Sequence, residues 1–237
     1  MVILVCADME WRAVRNIFPD AGVQDSPFGE WFEWCAALSE SPVEALPLIY
    51  FHTGWGKISA AAATQYALDR WSPALLINLG TCGGFDGRIE RGAVVLAEKT
   101  LVYDILEQMG DQEEHITHYT TEIDLSWLGE DIPRGVRRNV LVSGDRDLLV
   151  QDIPELASRY GAVAGDWESG AIAFVANRNH TSCLILRGVS DLVGSEGGEA
   201  YGNLEFFVAA SQEVLARLVS QLPDWIARAI NSREFNR

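Results

Sequence analysis

The feature that most constrains this chain is an alternation of short apolar, β-branched runs with stretches of helical composition, joined by connections of a few residues. Val2-Ile3-Leu4-Val5-Cys6-Ala7 opens the series, and residues 74–78, 92–97, 139–143 and 182–187 repeat it. Runs this continuously apolar suit strands buried on both faces, since a half-exposed strand would alternate apolar with polar. Residues 31–38, 48–52 and 162–164 add further strands. Helices are expected from Met9 to just before Pro19, over 58–71, around 154–160, over 168–177 and over 204–230. That order predicts an α/β fold with largely parallel strands, whose carboxyl ends carry the ligand-binding loops.

At 237 residues and 48% hydrophobic content the chain can bury one sizeable core, and residues 1–237 are expected to form a single domain. A formal charge of −16, with Lys57 and Lys99 as the only lysines and no basic run, argues against nucleic-acid or acidic-membrane partners. Cys6, Cys35, Cys82 and Cys183 lack the CxxC spacing of a zinc or redox motif, so reduced thiols and a cytoplasmic location are expected. The apolar opening has no basic flank and stops at Asp8, so it reads as a strand, and no segment is long enough to span a bilayer. Residues 103–138 lose periodicity and gather acidic side chains, which predicts a variable loop region. Within it, Glu113-Glu114-His115-Ile116-Thr117-His118 has two histidines without supporting ligands, and no metal is expected.

Chemistry-bearing residues gather where strands end. Asn78-Leu79-Gly80-Thr81-Cys82-Gly83-Gly84 offers glycines that let backbone N–H groups approach a ligand, although on glycine content alone a tight strand-to-strand turn explains them better. In Arg187-Gly188-Val189-Ser190-Asp191 an acid follows a buried strand beside a hydroxyl; a helix cap is the plain alternative. Glu168 opens an apolar helix in Gly165-Asp166-Trp167-Glu168-Ser169-Gly170, where a favourable helix dipole would suffice to explain it. Glu10 stands at the first strand-to-helix junction in the same manner. Either the three carboxylates converge on one site, or they are three separate capping acids.

The strings Ile77 to Phe85, Asp166 to Ala173 and Arg187 to Asp191, together with Gly54-Trp55-Gly56-Lys57 and Ser143-Gly144-Asp145, resemble the nucleoside phosphorylase and nucleosidase superfamily in order along the chain. They are most similar to its 5′-methylthioadenosine/S-adenosylhomocysteine nucleosidase branch. The resemblance implies a three-layer fold with a twisted, mixed central sheet flanked by helices, a homodimer, a small-molecule nucleoside substrate, and no metal or organic cofactor. It implies that Asp191 serves N7 of the leaving base, Glu168 the ribose hydroxyls and Glu10 the attacking water, with Arg187 restraining the carboxylates and Ser190 orienting Asp191. Thr81, Cys82 and Gly83 would line the site, and Met9 would meet a 5′-alkylthio group.

Departures from the branch bear on the substrate. An aromatic side chain commonly faces the base just after Gly-Asp, whereas this chain has Arg146-Asp147-Leu148, so that Asp147 would recognise an exocyclic amine or lie on the surface. Trp167 stands where methionine is usual, and residues 104–118 lack the usual aromatic and histidine pattern, which leaves the 5′ group open and admits futalosine-like compounds. Phosphate as nucleophile is disfavoured by Ala7-Asp8-Met9-Glu10 and by Asn78 where hexameric phosphorylases carry arginine; Arg12 and Arg15 have the spacing of an exposed helical face. The alternatives are a phosphorylase and a nucleoside-binding protein without turnover.

Overall fold

The computed structural model describes residues 1–36, 46–129 and 132–232. In chain order the elements are β1 (Val2–Val5), α1 (Asp8–Ile17), β2 (Gln24–Ser26), β3 (Gly29–Ala36), β4 (Leu46–His52), α2 (Lys57–Trp71), β5 (Leu75–Phe85), β6 (Val94–Val102), α3 (Gln112–His118), β7 (Thr121–Glu122), β8 (Val136–Ser143), α4 (Ile153–Tyr160), β9 (Ala162–Asp166), α5 (Ser169–Arg178), β10 (Ser182–Gly194), β11 (Gly197–Gly198) and α6 (Leu204–Asn231). Residues 37 and 38 of the strand expected over 31–38 lie outside the described residues.

Burial on both faces of the sheet accounts for the unbroken apolar runs. In β1, Ile3 and Val5 pack with Trp11 and Val14 of α1 and Leu215, Leu218 and Trp225 of α6. Val2 and Leu4 face the other way, toward Ala60, Ala63 and Ala67 of α2 and Ile172 and Ala176 of α5. Small alanines on α2 and α5 let those helices approach the sheet closely, while α6 supplies bulk on the opposite side.

The sheet is mixed. β1 is parallel to both β4 and β5, and β5 to β10, whereas β5–β9, β6–β10 and β3–β4 are antiparallel. Pairings β5–β10–β6–β8–β9–β5 close a circuit of strands, from which β1, β4, β3 and β2 extend as an open arm. The mixed sheet implied by the resemblance is present, and its ladders β1–β4, β1–β5, β5–β10, β6–β8 and β8–β9 are parallel, as the continuously apolar runs led one to expect for strands buried on both faces.

Two strands run further than their composition suggests. β5 continues through Gly80, Gly83 and Gly84 to Phe85, so this string is strand rather than a turn. Glycine is required there by close approach: a Cβ at Gly80 would overlap Nη1 of Arg187, and one at Gly84 would lie 2.7 Å from Val189 and Ile89 side-chain atoms. β10 likewise continues past Asp191 to Gly194, with a bulge between Val189 and Asp191 in its pairing to β5. Bulges re-aim side chains, and here the irregularity brings Asp191 opposite Gly83. The stretch expected as loop between 103 and 138 contains α3, β7 and a 3-10 turn at Ser126–Leu128, anchored by buried Ile116, Trp127 and Leu128. Among the described residues no helix is long and apolar enough to cross a membrane.

Candidate active site

Glu10 lies in the first turn of α1, yet it is 3% exposed, unlike an acid that only caps a surface helix. Its Oε2 accepts from the Ala7 N–H at 3.2 Å, and its Oε1 accepts from both the N–H and the hydroxyl of Thr81, at 2.6 and 2.9 Å. One oxygen serves the helix start and the other reaches β5. Helical rotation of about 100° per residue turns the preceding side chain away. Met9 accordingly does not line the cavity described below, and its sulfur sits 3.8 Å from Nη1 of Arg12.

Glu168 occupies the N-cap position of α5 but makes no side-chain cap bond to its own helix. Its Oε1 accepts instead from the Gly56 N–H at 3.0 Å, ahead of α2. The local cap is Asp166, which accepts from the Ser169 N–H at 3.2 Å, from the hydroxyls of Ser143 (2.6 Å) and Ser169, and from Nε of Arg187 at 2.6 Å. Arg187 has no exposed side-chain surface, and its Nη2 stands 3.7 Å from Oε2 of Glu168. Burial works against the charge of Arg187, but Asp166, Glu10 and Glu168 outweigh it and hold the guanidinium protonated. Glu168 is pushed up to about 8, first by desolvation and then by Asp166, with Arg187 pulling it back and Glu10 raising it further.

Asp191 projects from the interior of β10, so a helix cap is ruled out. It accepts from the Ser190 hydroxyl at 2.7 Å and from the Ala200 backbone N–H. Desolvation raises its carboxyl above the ordinary aspartate range, the Ser190 and Ala200 hydrogen bonds oppose that, and nearby Glu199 and Asp147 add to it.

These carboxylates meet at one cavity of about 610 Å³. Glu10, Thr81, Cys82, Gly83, Asp147, Leu148, Trp167, Glu168, Ser190 and Asp191 line it; Arg187 stands behind the wall, holding Asp166. Sequence reasoning missed Trp55, Asp166, Tyr201 and Phe207, which also line it. Trp55 sat inside a quoted motif without a role; its ring meets that of Trp167 edge-on, centroids 6.0 Å apart, beside Glu168. Asp166 was adjacent to a named residue, and only the fold reveals its buried ion pair. Arg146 is the cation of the cavity wall among the described residues, and it is engaged by Asp152 at 2.6 Å and by the Tyr103 ring at 5.1 Å. Arg15 donates to the carbonyls of Phe18 and Ala21 and, like Arg12, does not line the cavity. In the acidic stretch before β7, Glu113 pairs with Arg159 and His115 with Glu107.

The loop that presents Gly56 is itself fastened. Lys57 pairs with Asp104, its N–H donates to Asp145 at 2.7 Å, and the Asp145 N–H donates to Asp104 at 2.9 Å. The result is an arrangement suited to opposite charges: clustered carboxylates beside one part of the cavity, and an acid with a raised pKa at another.

Comparison with known proteins agrees with this geometry. A family model described as "Phosphorylase superfamily" matches residues 39–222. The 5′-methylthioadenosine/S-adenosylhomocysteine nucleosidase of Oceanobacillus iheyensis is 28% identical over 160 residues, covering 63% of this chain and 70% of its own. That of Bacillus subtilis is 24% identical over 196 residues, covering 76% and 83%. Among solved structures, the Helicobacter pylori enzyme of that name bound to butyl-thio-DADMe-Immucillin-A superposes with a TM-score of 0.75 at 16% identity, over 94% of this chain and 97% of the other. Futalosine hydrolase from the same organism gives 0.73 at 16% identity over 94% and 97%. By its motifs, its mixed sheet and the family model that spans most of it, the chain belongs to the phosphorylase superfamily.

Proposed function

We propose that this protein hydrolyses the N-glycosidic bond of a purine nucleoside, a 5′-modified adenine nucleoside of the methylthioadenosine and S-adenosylhomocysteine kind, and releases the free base. The observation that carries this reading is the convergence of Glu10, Glu168 and Asp191, from three distant segments, on one cavity.

Breaking a ribosyl C–N bond builds positive charge on the sugar and negative charge on the base. Asp191, its carboxyl raised by burial, donates a proton or hydrogen bond to N7 as the base departs, with Ser190 fixing its orientation. Glu168 holds the ribose hydroxyls, and Glu10, steadied by Thr81, orients and deprotonates the attacking water. Arg187 and Asp166 keep these carboxylates in register. Asp147 accepts from the exocyclic amine of the base, Leu148 packs beneath it, and Thr81, Cys82, Gly83 and Trp167 enclose the sugar. The working unit is one domain over 1–237, acting in the cytoplasm as a homodimer.

Water is favoured over phosphate because the lining cation, Arg146, is already paired, whereas a dianion would face Glu10, Asp166 and Glu168. The test measures release of free base from 5′-methylthioadenosine in phosphate-free buffer. Turnover under those conditions is the expected result; strict dependence on phosphate with ribose-1-phosphate formation would establish a phosphorylase. Binding without turnover would establish a nucleoside-binding protein.

A further inference from the structure

We propose that Tyr201, in the segment between β10 and α6, supplies the aromatic face against which the leaving base lies. Within the cavity the base is located by Asp191, and three contacts tie Tyr201 to that acid's surroundings. The residue before it, Ala200, donates its N–H to Asp191. Its hydroxyl donates to the Leu148 carbonyl at 2.9 Å. Leu148 in turn packs over Gly83, the residue paired with Asp191 in the sheet: a Cβ at Gly83 would be 3.2 Å from Cδ1 of Leu148.

The ring is held yet accessible. Gly198 packs against its edge so closely that an added Cβ would lie 2.6 to 2.7 Å from three ring carbons, while 42% of Tyr201 remains exposed. A ring fastened at its hydroxyl and backed by a glycine presents its remaining surface to a ligand at little entropic cost. Of the other aromatic rings in the wall, Trp55 and Trp167 stand beside Glu168 and Phe207 belongs to α6, and Asp147 offers a carboxylate without a ring. Purines have a π-face irrespective of their substituents, so this contact supports binding of the base and only weakly selects among purines.

This inference rests on the nucleosidase reading, and the experiment separates the two. Dissociation constants for free adenine and for 5-methylthioribose are measured by calorimetry for the wild type, Tyr201→Ala and Tyr201→Phe, alongside KM and kcat for 5′-methylthioadenosine and a thermal melt. In Tyr201→Ala, adenine binding and KM weaken roughly tenfold, the equivalent of about 1.4 kcal/mol, while methylthioribose binding stays within twofold. Tyr201→Phe, which keeps the ring, recovers adenine affinity to within about threefold. An adenine affinity unchanged in Tyr201→Ala, or a Tyr201→Phe variant as impaired as Tyr201→Ala, overturns the assignment, the latter because the hydroxyl clasp would then be what matters. If wild type neither binds adenine nor cleaves the nucleoside, the nucleosidase reading itself fails.

Discussion

At the proposed sugar end, Glu10, Asp166 and Glu168 crowd around the guanidinium of Arg187 and are pinned by N–H groups from Ala7, Ser169 and Gly56 at helix starts and from Thr81 within β5. At the proposed base end, Asp191 is held by a hydroxyl and one backbone N–H, beneath a segment carrying Tyr201, which is partly exposed. The first end places several charges out of water and neutralises part of their repulsion with one cation. The second keeps a single acid poised to part with a proton. Stability and turnover should therefore separate along the cavity: loss of the sugar end's buried cation costs both, and damage to the base end costs turnover almost alone.

The largest effect that would break this contrast is expected at Asp191. Asp191→Asn keeps the shape and an acceptor for Ser190 but removes the acid, and kcat for base release should fall by about 10²- to 10⁴-fold, with a melting temperature close to wild type. A variant that instead unfolds would place Asp191 among the residues that hold the fold together. Next comes Arg187→Met, which strands Asp166, Glu168 and Glu10 without their buried cation. Removing one partner of such a group costs about 3–5 kcal/mol, a fall of about 10 °C in the thermal melt, and activity is lost with it.

Glu168→Gln sharpens the comparison through pH. Below the unfolded-state value near 4.5, both folded and unfolded chains hold the proton and the site is neutral to stability. Above it the unfolded chain ionises while folded Glu168 keeps its proton until about 8, so the folded state loses stability across that window and the loss is complete beyond it. Desolvation, the main cause, sets that direction. Denaturant titrations from pH 5 to pH 8.5 should show a decline in wild type that is shallower in Glu168→Gln. Assayed above pH 8, where Glu168 is ionised, the same variant should lower kcat about thirtyfold, about 2 kcal/mol, since the amide cannot offer a carboxylate to the developing positive charge. Equal pH slopes in the two proteins would remove the buried carboxylate from the account.

What was legible in the sequence follows the same division. Glu10 and Glu168 were visible because each stands where a strand meets a helix, and Asp191 because it closes the apolar run that opens β10; such signals are local in sequence. Whether they capped or converged was not, because the decisive bonds join residues far apart: Glu168 to Gly56, and Glu10 to Thr81. The glycines of β5 read as a turn because the reason for them, the approach of Arg187 and Val189, is tertiary. Tyr201 had no signal at all, lying in a glycine-rich segment whose contact with Leu148 joins residues 53 apart in the chain.

The smallest effect isolates the base end itself. As an acid Asp191 works in its protonated form, so turnover should fall as pH rises through its folded pKa. That value is raised by burial and pulled back by the hydroxyl of Ser190, which stabilises the carboxylate form. Ser190→Ala removes the restraint while leaving the sugar end untouched. The proton is then held to higher pH, and the alkaline limb of kcat/KM should move upward by about half a unit to one unit, the worth of a hydrogen bond of about 1 kcal/mol. An upward displacement of the limb can only raise turnover at a fixed pH through ionisation, so any loss in Ser190→Ala reports orientation of the acid. A limb that moves downward, or one that stays fixed in Ser190→Ala and also persists in Asp191→Asn, would assign the alkaline titration to another group and return the proton to water.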